Sequence, residues 1–269
     1  MKASVIMSTY NAEAWLEKVI WGFSVQTERD FEIIIADDGS GPKTKALIVA
    51  LREQTDIPLV HVWQEDNGFQ KTQILNKAIV ASKADYLIFT DGDCIPRNDF
   101  VATHLQYRRK KAFLSGGYFK LPMDASLAIT KDDIAAQRCF DVKWLVKQGL
   151  ATPNKLKLSA KGFTAKLLNF LTPTKATWNG HNASCWKSEL LAINGFNHEM
   201  QYGGEDRELG ERLVNNGLKP IQIRYAAICV HLDHARSYVS DVAWQKNNAI
   251  REYTKKHKVI KTPTGIEQL

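Results

Sequence analysis

Phe31-Glu32-Ile33-Ile34-Ile35-Ala36-Asp37-Asp38-Gly39-Ser40 passes without a break from an apolar run into a short acidic turn. Side chains in a strand alternate between two faces, so consecutive isoleucines mark a strand covered on both sides. The same pattern lies on either side of it. Residues 3–8 (ASVIMS), 58–63 and 85–90 (DYLIFT) read as further strands, and residues 12–26, 42–54 and 72–82 as helices. Strand and helix alternating at this spacing require right-handed crossovers and a parallel sheet with helices on both faces. The first half is therefore a Rossmann-like α/β unit. In such units ligands bind beyond the carboxyl ends of the strands, which puts weight on the residues that close each strand.

The pattern changes after Cys94. Residues 99–111 read as a helix, 113–119 as one strand and 132–148 as helical. Residues 151–175 are lysine-rich with weak periodicity and read as a loop-rich insert. Regular structure resumes at Thr177 and includes helices at 205–215 and 240–256, the latter with Val242, Ala249, Ile250 and Tyr253 on one face. The organisation expected is one domain over residues 1–236, with halves 1–95 and 96–236 and a basic insert at 142–177. A helical extension follows at 237–269.

Composition narrows the function. The chain has 269 residues, 44% hydrophobic and 24% charged, which excludes disordered and fibrous classes. No apolar run approaches the roughly 20 residues of a bilayer span, and no cleavable hydrophobic stretch follows a basic start, so a cytoplasmic, non-spanning protein is expected. Cys94, Cys139, Cys185 and Cys229 are too widely spaced for a zinc or thiol redox motif and read as reduced, buried thiols. The net charge of +7 is uneven. Between Asp141 and Glu189 there is no acidic residue, whereas Lys143, Lys147, Lys155, Lys157, Lys161, Lys166, Lys175 and Lys187 are all basic. The rest of the chain is close to neutral, which argues against a nucleic-acid partner, whose phosphate backbone demands a longer basic track.

The strand ends carry the chemistry. The first closes with Ser8-Thr9-Tyr10-Asn11, which is neither a dinucleotide glycine turn nor a P-loop. The second closes with Asp37-Asp38-Gly39-Ser40, and the fourth with Asp91-Gly92-Asp93. Each alone is an ordinary Asp-Gly turn. Two carboxylate sets at one sheet edge repel each other unless a cation lies between them, and hard oxygen donors suit Mg²⁺ or Mn²⁺.

These segments together resemble the nucleotide-sugar half of family 2 glycosyltransferases with the GT-A fold, an α/β architecture with a mixed central sheet. Gln64-Glu65-Asp66-Asn67-Gly68-Phe69-Gln70, followed by Asn76, is similar to bacterial chondroitin and hyaluronan polymerases. Gly180-His181-Asn182-Ala183-Ser184, Asn194-Gly195-Phe196-Asn197 and Tyr202-Gly203-Gly204-Glu205-Asp206 resemble an acceptor-side block shared with β-1,4-galactosyltransferases. Where that block carries Trp, this chain has Tyr202.

The resemblance implies a metal-dependent inverting enzyme that moves one sugar from a UDP-sugar to a hydroxyl of a bacterial surface saccharide. Thr9 and, more than Asp37, Asp38 are the expected uridine contacts. Asp91 is expected at the ribose or the metal's water shell, Lys71 near the diphosphate, and Asp93 and His231 on Mn²⁺ or Mg²⁺. His234, Asp233 and Arg236 are further candidates for the diphosphate. Asp206 is the expected general base and Glu205 a partner for a sugar hydroxyl. Trp178 offers an apolar face to a pyranose, and Asn182 offers hydrogen bonds to its hydroxyls. The acid-free insert, with Leu156, Leu158, Phe163, Leu167, Leu168, Phe170 and Leu171 among its lysines, has two readings. One is contact with an anionic membrane bearing a lipid-linked saccharide acceptor, and the other is a mobile lid. Two alternatives of other classes stand beside the transferase: a sugar nucleotidyltransferase, and a catalytically silent saccharide-binding module. A nucleotidyltransferase needs a glycine-rich triphosphate loop where this chain has Ser8 to Ala14.

Overall fold

A computed structural model describes residues 1–151, 155–234 and 241–269, with the side chains of Lys155 and Leu156 also outside the description. Arg236 and the predicted helix start at Ser240 lie outside the described residues. The strands are β1 (Ala3–Thr9), β2 (Phe31–Asp37), β3 (Leu59–Trp63), β4 (Tyr86–Asp91), β5 (Cys94–Pro96), β6 (Ala112–Ser115), β7 (Gly117–Lys120), β8 (Ala183–Trp186), β9 (Lys219–Gln222) and β10 (Ile228–His231). Among the described residues they form a seven-stranded sheet in the order β3-β2-β1-β4-β8-β6-β9 and a three-stranded sheet in the order β5-β10-β7.

β1, β2, β3 and β4 are mutually parallel, whereas β8 runs antiparallel to both β4 and β6, so the central sheet is mixed. The period of two along β2 sorts its isoleucines. Ile33 and Ile35 enter one core cluster with Leu16, Val19 and Phe23 of the helix Glu13–Ser24. Ile34 enters a second cluster with Ile74, Leu75 and Ile79 of the helix Lys71–Ala81. Each such side chain contributes about 1.5–3 kcal/mol by leaving water. Register then aligns the polar closers: Thr9 pairs with Asp37, and Ser8 with Asp91.

The second half departs from the sequence reading in four places. The single strand expected at 113–119 is two strands in different sheets, because the chain changes partner at Gly116, whose N–H donates to the Asn182 carbonyl. The helix expected at 132–148 is three pieces, Lys131–Ala135, Arg138–Phe140 and Val142–Lys147. Gln137 turns left-handed at φ 58°, and the Asp141 side chain starts a new helix by accepting from the Lys143 and Trp144 N–H groups. The insert is not loop-rich. It holds the helices Lys155–Ser159 and Gly162–Leu171, anchored by buried Leu158, Ala160 and Ala165.

In the last helix, Asp241–Lys256, the buried residues are Ala243, Asn247 and Thr254, while Val242 and Tyr253 face solvent. Asn247 sets this orientation by donating to the carbonyls of Gln201, Tyr202 and Gly203. The C-terminal residues return to the body. Ile266 packs on the second core cluster, and the Glu267 N–H donates to Asn194 Oδ1.

Candidate active site

The carboxyl ends of β1, β2 and β4 open into a cleft of about 790 Å³. Its walls bring together Thr9, Asp38, Lys71, Asp91, Asp93, Glu205, Asp206 and His231 from among the predicted site residues, with His234 beside them.

At one end lies Asp38, 8% exposed. Its Oδ1 accepts from Gln64 Nε2 at 2.6 Å and its Oδ2 from the Gln70 N–H at 2.9 Å. Burial pushes its pKa up to about 6; the two hydrogen bonds oppose the rise, and Asp66 and Asp37 add to it. Asp37 is fully buried instead, held by the Ser40 N–H at 2.8 Å and by His61 Nε2 at 2.8 Å. Of the two neighbouring acids only Asp38 lines the cleft. Thr9 Oγ1 is buried without a hydrogen-bond partner at the same end.

At the centre Asp91 Oδ1 accepts from Ser8 Oγ at 2.7 Å and from Lys71 Nζ at 2.8 Å. Burial alone would raise the Asp91 pKa, but the Lys71 charge and hydrogen bond outweigh it and hold the carboxyl well below its usual range. Lys71 is correspondingly held charged. Burial disfavours its ammonium, while Asp91, Asp206 and Glu205 together push its pKa well above the ordinary value.

β5 pairs antiparallel with β10, with Cys94 opposite His231, and the Leu232 N–H donates to the Asp93 carbonyl at 2.9 Å. The strand pairing thus fixes Asp93 beside two imidazoles: His234 Nε2 at 2.9 Å and His231 Nε2 at 3.5 Å, both from Oδ2. Potential ligand atoms of Asp93, Cys94 and His231 all lie within 4.8 Å of one another. Burial pushes the Cys94 thiol well above its usual pKa, so Cys94 stays protonated and donates to Asp93 Oδ1 at 3.3 Å. Imidazole nitrogen and carboxylate oxygen converging on one point fit a divalent ion such as Mn²⁺.

The opposite wall begins at Tyr202. Gly203 and Gly204 take φ of 110° and 94°, a left-handed turn closed to most side chains, and Gly204 caps the helix Glu205–Asn215. Glu205 Oε2 accepts from the Gly203 N–H at 2.8 Å, so this acid also braces its own turn. Asp206 accepts a backbone hydrogen bond from Gly180, and its Oδ1 has no partner. Burial raises the Asp206 pKa to about 7. Lys71 opposes that rise, and the Glu205 and Asp91 charges reinforce it. A carboxylate titrating near neutrality is poised for general-base work.

Trp178, Asn182 and Asp233 are not in the cleft; Asp233 Oδ1 instead lies 3.2 Å from Lys120 Nζ. Trp178 is 1% exposed, with ring centroids 5.3 Å from Phe89 and 5.7 Å from Phe113. Its Cβ fills the space that a side chain at Gly210 would take, so it is a core residue and not a sugar platform. Asn182 is fully buried. Its Nδ2 donates to the carbonyls of Gly117 and Ala227, and its Oδ1 lies 2.9 Å from His104 Nε2. Its hydrogen bonds join the two sheets and leave none for a sugar.

Tyr118 was missed by the sequence reading. It reaches the cleft from β7 and meets His181 edge-on at 4.4 Å between centroids, and burial lowers the His181 pKa to about 4. The available signal was the Gly116-Gly117 pair within residues 113–119: a side chain at either position would collide with Asn182 or the Arg224 backbone, so the pair marks a close approach where the strand breaks. No helix of the described residues is long and apolar enough to cross a membrane.

Residues 4–120 match the family Glycosyl transferase family 2, and residues 169–235 match the N-terminal domain of galactosyltransferase. The chain is 25% identical over 267 residues to validoxylamine A glucosyltransferase of Streptomyces hygroscopicus subsp. limoneus, covering 94% of this chain and 56% of that protein. It is 33% identical over 271 residues to the glycosyltransferase YfnE of Bacillus subtilis (87% and 65%). It is also 25% identical over 236 residues to the chondroitin synthase of Escherichia coli (80% and 32%). This chain therefore spans between about a third and two thirds of the length of these relatives.

Among solved structures, the mannosyltransferase PcManGT of Pyrobaculum calidifontis, in complex with GDP-Man and Mn²⁺, superposes with a TM-score of 0.60 at 19% identity (98% of this chain, 65% of that one). S. aureus TarS 1-349, in complex with UDP-GlcNAc, superposes with a TM-score of 0.62 at 15% identity (97% and 70%). The matched segments, the mixed sheet and these superpositions show a GT-A fold that carries a glycosyltransferase family 2 domain over residues 4–120 and is homologous to chondroitin and hyaluronan synthases.

Proposed function

We propose that this protein is a metal-dependent, inverting glycosyltransferase. It moves one hexosyl or N-acetylhexosaminyl unit from a UDP-sugar to a hydroxyl of a bacterial surface saccharide such as lipopolysaccharide, O-antigen or capsule. The observation that carries this reading is Asp206, a carboxylate with a pKa of about 7 on one wall of the cleft whose other wall holds Asp91, Asp93 and His231. GDP-Man with Mn²⁺ in one structural neighbour and UDP-GlcNAc in the other support a nucleotide-sugar donor.

In this reading Thr9 and Asp38 hold the uridine, and the Asp38 carboxylate accepts the uracil imide N–H. Lys71 places its positive charge toward the diphosphate, while Asp91 keeps that ammonium in position. Asp93 and His231, with His234, would hold Mn²⁺ or Mg²⁺, which when bound neutralises charge on the departing diphosphate. Asp206 takes the proton from the acceptor hydroxyl as its oxygen bonds to the anomeric carbon. The bond from that carbon to the phosphate oxygen breaks on the far side, so the configuration inverts. The enzyme works in the cytoplasm, where nucleotide sugars are available.

The test is a screen of UDP-sugars with saccharide acceptors, read as acceptor-dependent UDP release. Asp206→Asn is expected to slow turnover by roughly 10²–10⁴-fold with UDP affinity retained. Undiminished turnover in that variant would overturn the reading.

A further inference from the structure

We infer that the helix Gly162–Leu171 is a docking face for an anionic lipid bilayer. The inference rests on the proposed function only for its purpose, which is to bring the cleft to an acceptor carried at a membrane.

The helix is divided between two environments. Ala165 is 1% exposed, and Leu168 packs on the first core cluster. Gln222 Nε2 donates to the Asn169 carbonyl at 2.9 Å, and the Tyr225 N–H donates to Asn169 Oδ1 at 2.9 Å, which pins the helix to the edge beyond β9. With that side fixed, Phe163 (79% exposed), Leu167 (43%), Phe170 (85%) and Leu171 (61%) are held outward. At 100° per residue these four fall within a stripe about 100° wide, the geometry of a helix lying in an interface.

Charge selects the occupant. Lys161, Lys166 and Lys175 are exposed on and beside this helix, and no acidic residue occurs anywhere between Asp141 and Glu189. An apolar stripe flanked by cations complements a surface that is oily within and negative at its boundary. A second copy of the chain would bring the same cations face to face. Four side chains alone also fall short of the roughly 800 Å² per partner of a stable protein interface. The preceding helix, Lys155–Ser159, reaches the active site: its Lys157 lies 5.1 Å above the ring of Tyr118, which lines the cleft.

The test is co-sedimentation with vesicles of phosphatidylcholine alone or with phosphatidylglycerol added, using the full chain, Phe163→Ser/Phe170→Ser and Lys161→Gln/Lys166→Gln. Circular dichroism confirms that each variant is folded. The intact chain should partition to the anionic vesicles and be released by salt. The Phe163→Ser/Phe170→Ser variant should lose about tenfold or more in partitioning, as expected for withdrawing two aromatic rings from the membrane. The lysine variant should lose most of its preference for the anionic lipid. An intact chain that stays in the supernatant, a phenylalanine variant that binds as well as the intact chain, or self-association through this face would each overturn the inference. Acceptor-dependent UDP release with a soluble saccharide separates the two claims. Release without vesicle binding sinks only the docking face, and vesicle binding without any nucleotide-sugar turnover sinks only the proposed function.

Discussion

Lys71 Nζ lies 2.8 Å from Asp91 Oδ1, so the first residue of the helix Lys71–Ala81 is tied to the last residue of β4. The two side chains are 18% and 23% exposed, and solvent screening keeps the pair's share of stability near about 1 kcal/mol. Its importance lies in the charge it holds at the cleft centre. Lys71→Met should raise the KM for the UDP-sugar by roughly tenfold or more and also lower Tm, because Asp91 is left without its cation. Steady-state kinetics with thermal melts check this, and an unchanged KM removes Lys71 from donor binding.

Asp206 couples activity to stability through its raised pKa. With the base protonated below about 7, kcat/KM should climb through that pH and level off above it. The folded pKa lies above the unfolded value of about 3.9, so the folded state binds more protons between the two. Wild-type stability contributed by this group is therefore lost as pH rises from about 4 to 7. Asp206→Asn, which cannot ionise, should melt several degrees above wild type near pH 8, with the gap closing toward about pH 4. Melts across that range decide it. A gap independent of pH contradicts the assignment.

Asp38 makes a separate pH prediction. Protonation below about 6 removes the acceptor for the uracil imide, so UDP affinity should fall as pH drops through that value. Asp38→Asn should lower affinity by about tenfold and abolish the pH dependence. Calorimetric titration of UDP at several pH values tests both. Asp37→Asn should leave affinity largely intact and cost stability instead, because Asp37 is buried against Ser40 and His61.

Trp178 should behave as core. Trp178→Ala should destabilise by about 3–5 kcal/mol, whereas Trp178→Phe should keep acceptor KM unchanged. A selective rise in acceptor KM for the phenylalanine variant would return this residue to the sugar site.

What the sequence disclosed follows from where its signals are local. Ile33 to Ile35 and the run ending at Thr90 are continuous apolar strands whose closers inherit their place from the sheet, so Asp38, Asp91 and Asp93 could be located before any coordinates. The Tyr202-Gly203-Gly204-Glu205-Asp206 turn is likewise written in adjacent residues. Trp178 and Asn182 lie in a segment of the same polar, glycine-containing character, yet their roles are set by Gly210 and by the carbonyls of Gly117 and Ala227, which are distant in the chain. Tyr118 escaped for the same reason, since β7 joins the cleft only by pairing with β10. In the last helix the apolar residues Val242 and Tyr253 point outward because a polar residue, Asn247, makes the tertiary bonds that choose its inner face. The helix Gly162–Leu171 has real periodicity, but half of it faces outward, so it did not read as an element of a core.

The proposed divalent ion held by Asp93 and His231 beside a UDP-sugar is open to one decisive measurement, titration of UDP into the purified protein with Mn²⁺ present or chelated, for wild type and Asp93→Ala. Wild type should bind UDP tightly and only with Mn²⁺, and Asp93→Ala should lose that binding with the fold intact. UDP binding of equal strength with and without Mn²⁺, or unaltered in Asp93→Ala, would contradict it.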